Sequence, residues 1–182
     1  TEVLVEEALQ NIEGACQILD IGIGSGAIAI AIAHEKQETM VVGIDISEAA
    51  VALAAANARR NGVDDRTDFK VGDLRELPGG PFERSVSNPP YIRHGDIETL
   101  MPDVRDFEPV GALDGGADGL DAYRAITRQA PALLKNGGRL LVEIGIDQAS
   151  EVRQLFTEAG FVDIQTRNDY AGIPRVVGGM KK

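Results

Sequence analysis

The sequence predicts an α/β fold, a mostly parallel sheet with crossover helices. Three observations predict it. Short apolar runs alternate with stretches of helical period along the chain. The first apolar run, Gln17-Ile18-Leu19-Asp20-Ile21, passes through Gly22-Ile23-Gly24-Ser25-Gly26 into a helical run. Strand, glycine-rich turn and helix in that order form a phosphate or nucleotide cradle. The second apolar run, Val41-Val42-Gly43-Ile44-Asp45, ends on an acid roughly 20 residues past the glycines, where a carboxylate accepts the hydroxyls of a ribose.

With 182 residues the chain makes one ordinary domain. A domain of this size buries roughly 70% of the surface its unfolded chain exposes, so it needs no staple. The single cysteine, Cys16, excludes an intramolecular disulfide and fits a reducing compartment. Beside an apolar strand it reads as a small buried or half-buried hydrophobe. No run approaches eighteen apolar residues, and the first residues lack a basic signal-peptide start. The formal net charge of −11 opposes non-specific attraction to nucleic acid, which depends on neutralising phosphates. A cytoplasmic protein with no membrane contact and no direct nucleic-acid partner is expected.

Taken in order, residues 2–11 predict a helix with Val3, Leu4, Val5, Ala8 and Leu9 as its apolar face. The first strand covers Gln17 to Ile21, and a helix Ala27 to His34. The glycine spacing between them is Gly-x-Gly-x-Gly, not the dinucleotide Gly-x-Gly-x-x-Gly. After the strand ending at Asp45, a helix runs from Glu48 to Arg60, with Ser47 as the better cap residue and Asn61-Gly62 as its stop. Thr67 to Val71 is the third strand, followed by Gly72-Asp73-Leu74. Asp73 there suits either an adenine amine, with Leu74 packing on the ring, or an ordinary Asp turn. The fourth strand ends at Asn88. Arg84 and Ser85 are odd in it, because a strand buried on both faces must find partners for a guanidinium and a hydroxyl.

Residues 92–120 read as a long structureless stretch of the binding-loop or lid type. Asp121 to Leu134 predicts a helix capped near Asp118 or Asp121 and stopped by Asn136-Gly137-Gly138. Arg139 to Ile144, Phe161 to Thr166 and Arg175 to Gly179 predict strands five to seven, with a helix from Gln148 to Ala159 between the first two. His34 and His94 share no metal-triad spacing, and no metal site is expected.

Ser87-Asn88-Pro89-Pro90-Tyr91 is the most distinctive stretch. Two consecutive prolines fix two φ angles and remove two N–H donors, and each restricts the residue before it. The backbone carbonyls there and the Asn88 side-chain oxygen form a set of acceptors. That set suits a planar –NH2 group, on which Tyr91 can stack. The plainer alternative is a proline-rich turn whose Asn caps its own backbone.

These residues together resemble the catalytic domain of the release-factor glutamine N5-methyltransferases, the HemK family. The resemblance rests on Thr1-Glu2 with Leu4-Val5-Glu6, on Leu19 to Gly26, on Asp45-Ile46-Ser47, on Gly72-Asp73 and on Ser87 to Ile92. It also rests on Phe107-Glu108-Pro109, Asp118-Gly119-Leu120-Asp121-Ala122-Tyr123-Arg124, Glu143-Ile144-Gly145 and Arg175 to Gly178. It implies a Rossmann-like, seven-stranded sheet with the last strand antiparallel, the class I S-adenosylmethionine-dependent methyltransferase fold. It implies S-adenosylmethionine as cofactor and, as partner, a peptide chain release factor methylated on the glutamine of its Gly-Gly-Gln motif. Gly22, Ile23, Gly24, Ser25 and Gly26 would hold the methionine end and Asp45 the ribose, with Ile46 also among the cofactor-binding residues. Asp73 and Leu74 would flank the adenine, Leu74 standing where the family often has Trp. Asn88, Pro89, Pro90 and Tyr91 would hold the glutamine, with Asn88, Pro89 and Tyr91 catalytic and Asn88 also beside the cofactor. The family usually carries a small helical docking domain before the position of Thr1, and this sequence, read as a single domain over residues 1–182, is expected to lack it. Ile23 replaces a common Thr, and Glu83-Arg84-Ser85 a more usual Asp and apolar pair.

Two neighbouring chemistries use a similar acceptor set: methylation of an adenine amine in DNA or RNA, and of a ribosomal-protein glutamine. A nucleotide-binding module without catalysis is the rival of a different class.

Overall fold

In a computed structural model of the chain, α1 (Glu2–Leu9) leads into β1 (Cys16–Ile21), α2 (Ala27–Glu35), β2 (Thr39–Asp45), α3 (Glu48–Arg60), β3 (Thr67–Val71) and β4 (Phe82–Ser87). Two one-turn helices follow, α4 (Pro102–Arg105) and α5 (Val110–Leu113), then α6 (Asp121–Leu133), β5 (Leu134–Glu143), α7 (Ala149–Glu158), β6 (Val162–Asn168) and β7 (Pro174–Met180). The structure describes residues 1–12, 14–106 and 109–182, with the backbone alone at Val104. Phe107 and Glu108, part of the resemblance, lie outside the described residues.

The seven strands form one sheet in the order β3-β2-β1-β4-β5-β7-β6. All neighbours are parallel except β7, which runs antiparallel to both β5 and β6. This is the sheet that the resemblance implies. Helices cover both faces, so the alternation along each strand sends side chains into two cores. Ile18, Val41, Val86 and Leu141 pack with Leu4 of α1, Ile28 and Ile32 of α2 and Ala58 of α3. Leu19, Ile21, Leu140 and Val142 pack with Tyr123 and Ile126 of α6 and Val152 and Phe156 of α7. Cys16 is buried at the start of β1, and that burial pushes its thiol up to about 11.

Local signals set several boundaries. α3 begins where Ser47 Oγ accepts the Ala50 amide, 3.2 Å away. β3 covers the residues that the apolar run marks. Arg84 finds its partner across the fold, donating to the carbonyl of Gln10 just past α1, where the negative end of the helix favours a cation. The Ser85 hydroxyl is fully buried and has no partner among the described residues.

Two expectations are corrected. β5 starts at Leu134, not Arg139, and α6 stops one residue earlier than expected. Asn136-Gly137-Gly138 lies inside the strand because the chain's end pairs with it. Gly137 N–H donates to the Lys181 carbonyl and Lys181 N–H to the Gly138 carbonyl, at 2.9 and 2.8 Å. The stretch after β4 is also not structureless. Ile92 bridges to Asp114, and His94 N–H donates to the Gly116 carbonyl at 2.9 Å, so the loop closes back on its own beginning.

Ser47→Ala removes a side-chain cap and should cost about 1 kcal/mol. Thermal unfolding should show a fall of roughly 2–4 °C in Tm for a domain of this size.

Candidate active site

The sheet's order places a topological switch point between β1 and β4. From β1 the chain winds one way through β2 to β3, and from β4 the other way through β5. In open α/β sheets ligands bind in the crevice beyond the carboxyl ends of the strands at such a point. Ile21 and Ser87 are register partners there, and Ser87 Oγ donates to the Ile21 carbonyl at 2.7 Å. The glycine turn and the Asn-Pro-Pro-Tyr turn therefore leave the sheet side by side, one strand spacing, about 4.8 Å, apart.

The glycine turn satisfies most of its own amides. Gly22 and Ile23 both donate to the Ile44 carbonyl, at 2.8 and 3.0 Å, and Gly26 donates to the Ile23 carbonyl at 2.8 Å. Gly24 donates to Asp45 Oδ2 at 2.9 Å. A phosphate cradle needs these N–H groups free. Those four amides are not available to a phosphate, and the turn is compatible with an uncharged nucleoside. Gly22 and Gly24 hold φ of +74° and +52°, and a Cβ on either would meet nothing within 4 Å, so the turn borders open space. Gly26 is buried and Ser25 exposed. Ile23 is buried, its side chain against Gly43 of β2, so it faces the core and its backbone faces the turn.

Asp45 stands half-buried at the end of β2. Its Oδ1 accepts the Ser47 amide and its Oδ2 the Gly24 amide, each at 2.9 Å. A carboxylate oxygen can accept twice, so each oxygen keeps a lone pair while the carboxylate is held rigid. Ile46 beside it is 70% exposed, an apolar side chain turned mostly to solvent. Asp73 forms the Asp turn, its Oδ1 accepting the Arg75 amide at 2.8 Å. Leu74 packs against the core, and its carbonyl accepts from Gln129 at 2.7 Å.

Asn88 Nδ2 donates to Thr1 Oγ1 at 3.4 Å, which leaves its oxygen for other donors. Pro89 is buried, and the Tyr91 ring packs half-buried on the core. Burial, and then the carboxylate of Glu143, pushes the Tyr91 phenol above its usual range. Glu143 is buried at the end of β5.

Sequence reasoning left several polar groups of this region unassigned. Asp20 lies fully buried within β1, on the α2 side. Its Oδ2 accepts the Ala29 amide at 3.1 Å, capping α2 from the strand, while Oδ1 has no partner among the described residues. Burial pushes its carboxyl up to about 7. An acid inside an apolar run was the available signal. Gln148, which donates to the Tyr91 carbonyl at 3.0 Å, carried none.

Two hollows lie elsewhere, one of about 380 Å³ beside α1 and β6 and one of about 570 Å³ at the opposite end of the sheet. Neither contains a residue of the crevice.

Residues 12–170 match the family model described as a methyltransferase domain. The chain is 51% identical to the release factor glutamine methyltransferase of Geobacter sulfurreducens, over 98% of its own length and 63% of that protein's. It is 44% identical to the like-named protein of Clostridium acetobutylicum, over 97% and 64%. The chain thus spans less than two thirds of these relatives' length. Among solved structures it superposes with a TM-score of 0.72 on an S-adenosylmethionine-dependent O-methyltransferase of Thermotoga maritima, at 15% identity and covering 99% of this chain and 63% of that one. On TrmN of Thermus thermophilus the values are 0.68, 24%, 100% and 48%. At these identities the structural likeness shows the fold alone.

Asp20 gives the domain a pH dependence whose sign is fixed. Its folded pKa lies above the unfolded one, so the folded state holds the extra proton and stability falls as pH rises through that window. Asp20→Asn keeps an acceptor for the Ala29 amide and removes the titration. Urea denaturation should show wild type losing about 3 kcal/mol relative to the variant from pH 5 to pH 8.

Proposed function

This chain belongs to the methyltransferase-domain family, and we propose that it is the catalytic domain of a release factor glutamine methyltransferase. It transfers a methyl group from S-adenosylmethionine to the side-chain amide nitrogen of the glutamine in the Gly-Gly-Gln motif of peptide chain release factors. It does so in the cytoplasm. The observation that carries this reading is the pairing of Ile21 with Ser87, which sets a glycine turn suited to a nucleoside beside a turn suited to a carboxamide. The names of the sequence relatives support the substrate.

The residues present fit the cofactor. The side-chain-free turn at Gly22 and Gly24 borders open space, Asp45 keeps acceptor capacity for the ribose hydroxyls, and Ile46 offers exposed apolar surface to the adenine side. Asp73 keeps its Oδ2 for the adenine amine while Oδ1 holds its turn. When bound, S-adenosylmethionine supplies an electrophilic methyl group on a sulfonium sulfur.

The acceptor side is the work of this chain's own residues. An amide nitrogen is a poor nucleophile because its lone pair is delocalised into the carbonyl. Asn88 Oδ1 and the Pro89 carbonyl accept the two N–H bonds of the incoming carboxamide, and Tyr91 stacks on its plane. This fixes the nitrogen with its lone pair toward the donor, and such positioning supplies on the order of several kcal/mol. As the nitrogen gains positive charge, the same two oxygens stabilise it. The proton leaves after transfer, so no strong base is needed beforehand.

Two variants of the full-length enzyme separate the halves of the site. Asp45→Ala removes charge-assisted hydrogen bonds and should weaken cofactor binding about 10–100-fold by calorimetry. Asn88→Ala should abolish transfer and leave cofactor affinity within about threefold, since the oxygen it removes is the one assigned to the acceptor amide. Mass spectrometry of a recombinant release factor after incubation with enzyme and cofactor reads the reaction. Label appearing in DNA or RNA and not in the release factor would decide for an adenine acceptor.

A further inference from the structure

Gln148 occupies the N-cap position of α7, where Ser, Thr, Asp or Asn normally satisfies the helix's own first amides. Its side chain makes no such bond. The carboxamide, on a residue 8% exposed, is bonded elsewhere. Nε2 donates to the Tyr91 carbonyl at 3.0 Å and to the Gly119 carbonyl at 3.1 Å, using both of its hydrogens. Oε1 accepts the Gly145 amide at 3.0 Å. One buried amide thus joins three segments that reach the crevice separately: the turn after β4, the loop ahead of α6 and the exit of β5. Tyr123 seals the underside, its hydroxyl donating to the Glu143 carbonyl at 2.9 Å.

The space for this junction is made by two glycines. A Cβ at Gly119, where φ is +77°, would stand 2.5 Å from the Tyr91 oxygen and 2.7 Å from Gln148 Nε2. A Cβ at Gly145 would stand 2.8 Å from Gln148 Oε1 and 2.9 Å from Tyr91 Cδ2. Pro89 and Pro90 offer no amide by which the middle of the turn could be tied down. Ser87 on Ile21 ties the start of the turn and Gln148 on the Tyr91 carbonyl its end, with the long 3.4 Å bond from Asn88 Nδ2 to Thr1 Oγ1 between them.

We propose that Gln148 is a positioning residue for the turn Asn88 to Tyr91. Its carboxamide fixes the Tyr91 carbonyl, and through it the direction in which Asn88 and Pro89 present their oxygens. This rests on the reading that the turn holds the acceptor amide. Displacement of a reacting group by about 1 Å can cost on the order of 100-fold in rate.

The test compares Gln148→Met, which keeps length and loses every bond, with Val152→Ala, a buried core truncation in the same helix. Both are made in the full-length enzyme. For Gln148→Met, kcat on the release factor should fall by about 30–100-fold, with cofactor affinity within about threefold. Amide exchange over residues 91–95 and 115–120 should speed up by about tenfold or more, and that over residues 41–45 should not change. Val152→Ala should lower Tm while keeping kcat within about twofold and exchange at residues 91–95 unchanged. Retention of wild-type kcat by Gln148→Met, or an equal loss in Val152→Ala, would overturn the role. Should wild type methylate no release factor, the functional reading fails separately. Exchange then decides alone, and unchanged exchange at residues 91–95 in Gln148→Met refutes the clamp.

Discussion

The parallel pairing of β1 with β4 is the constraint on which the site depends. Ile21 and Ser87 end their strands at the same level, and the Ser87 hydroxyl closes on the Ile21 carbonyl. Because neighbouring strands are held one hydrogen bond apart, the turns that follow must emerge as neighbours. The winding reverses at this pair, so nothing crosses the gap above it. Asp45 and Asp73 reach the crevice from the side of β2 and β3, and Glu143 and Gly145 from the side of β5. In the proposed reading, one strand contact sets a nucleoside-binding half beside an acceptor half.

Polar groups buried near that end of the sheet hold the two turns. Asp20 caps α2 from inside β1, and so anchors the helix that continues the glycine turn. Gln148 anchors the opposite turn. A buried carboxyl and a buried carboxamide are costly unless bonded, and an apolar residue at either position would pack more simply. Departures from a plain apolar core concentrate where a protein functions. Arg84, at the other end, serves α1 and not the crevice.

The glycine turn is bonded largely to itself and to the end of β2. The Gly22, Ile23, Gly24 and Gly26 amides are occupied by Ile44, Asp45 and Ile23. What the turn offers is shape and proximity to the Asp45 carboxylate. That is compatible with the class I methyltransferase fold.

The sequence alone determined the strands, most helices and the principal turn residues, because these rest on signals a few residues apart. Apolar alternation marked β3 to its ends, Ser47 marked the start of α3, and the double proline marked a rigid turn after β4. Tertiary structure alone decided where β5 begins, since its glycines are held in the strand by Lys181, and what Arg84 serves, since its partner is 74 residues away. The role of Gln148 was hidden for the same reason: its contacts lie 57 and 29 residues back along the chain, at Tyr91 and Gly119. Periodicity and capping act through the local backbone and leave a local trace. A hydrogen bond between distant segments exists only once the sheet has brought them together, and no spacing in the chain encodes it.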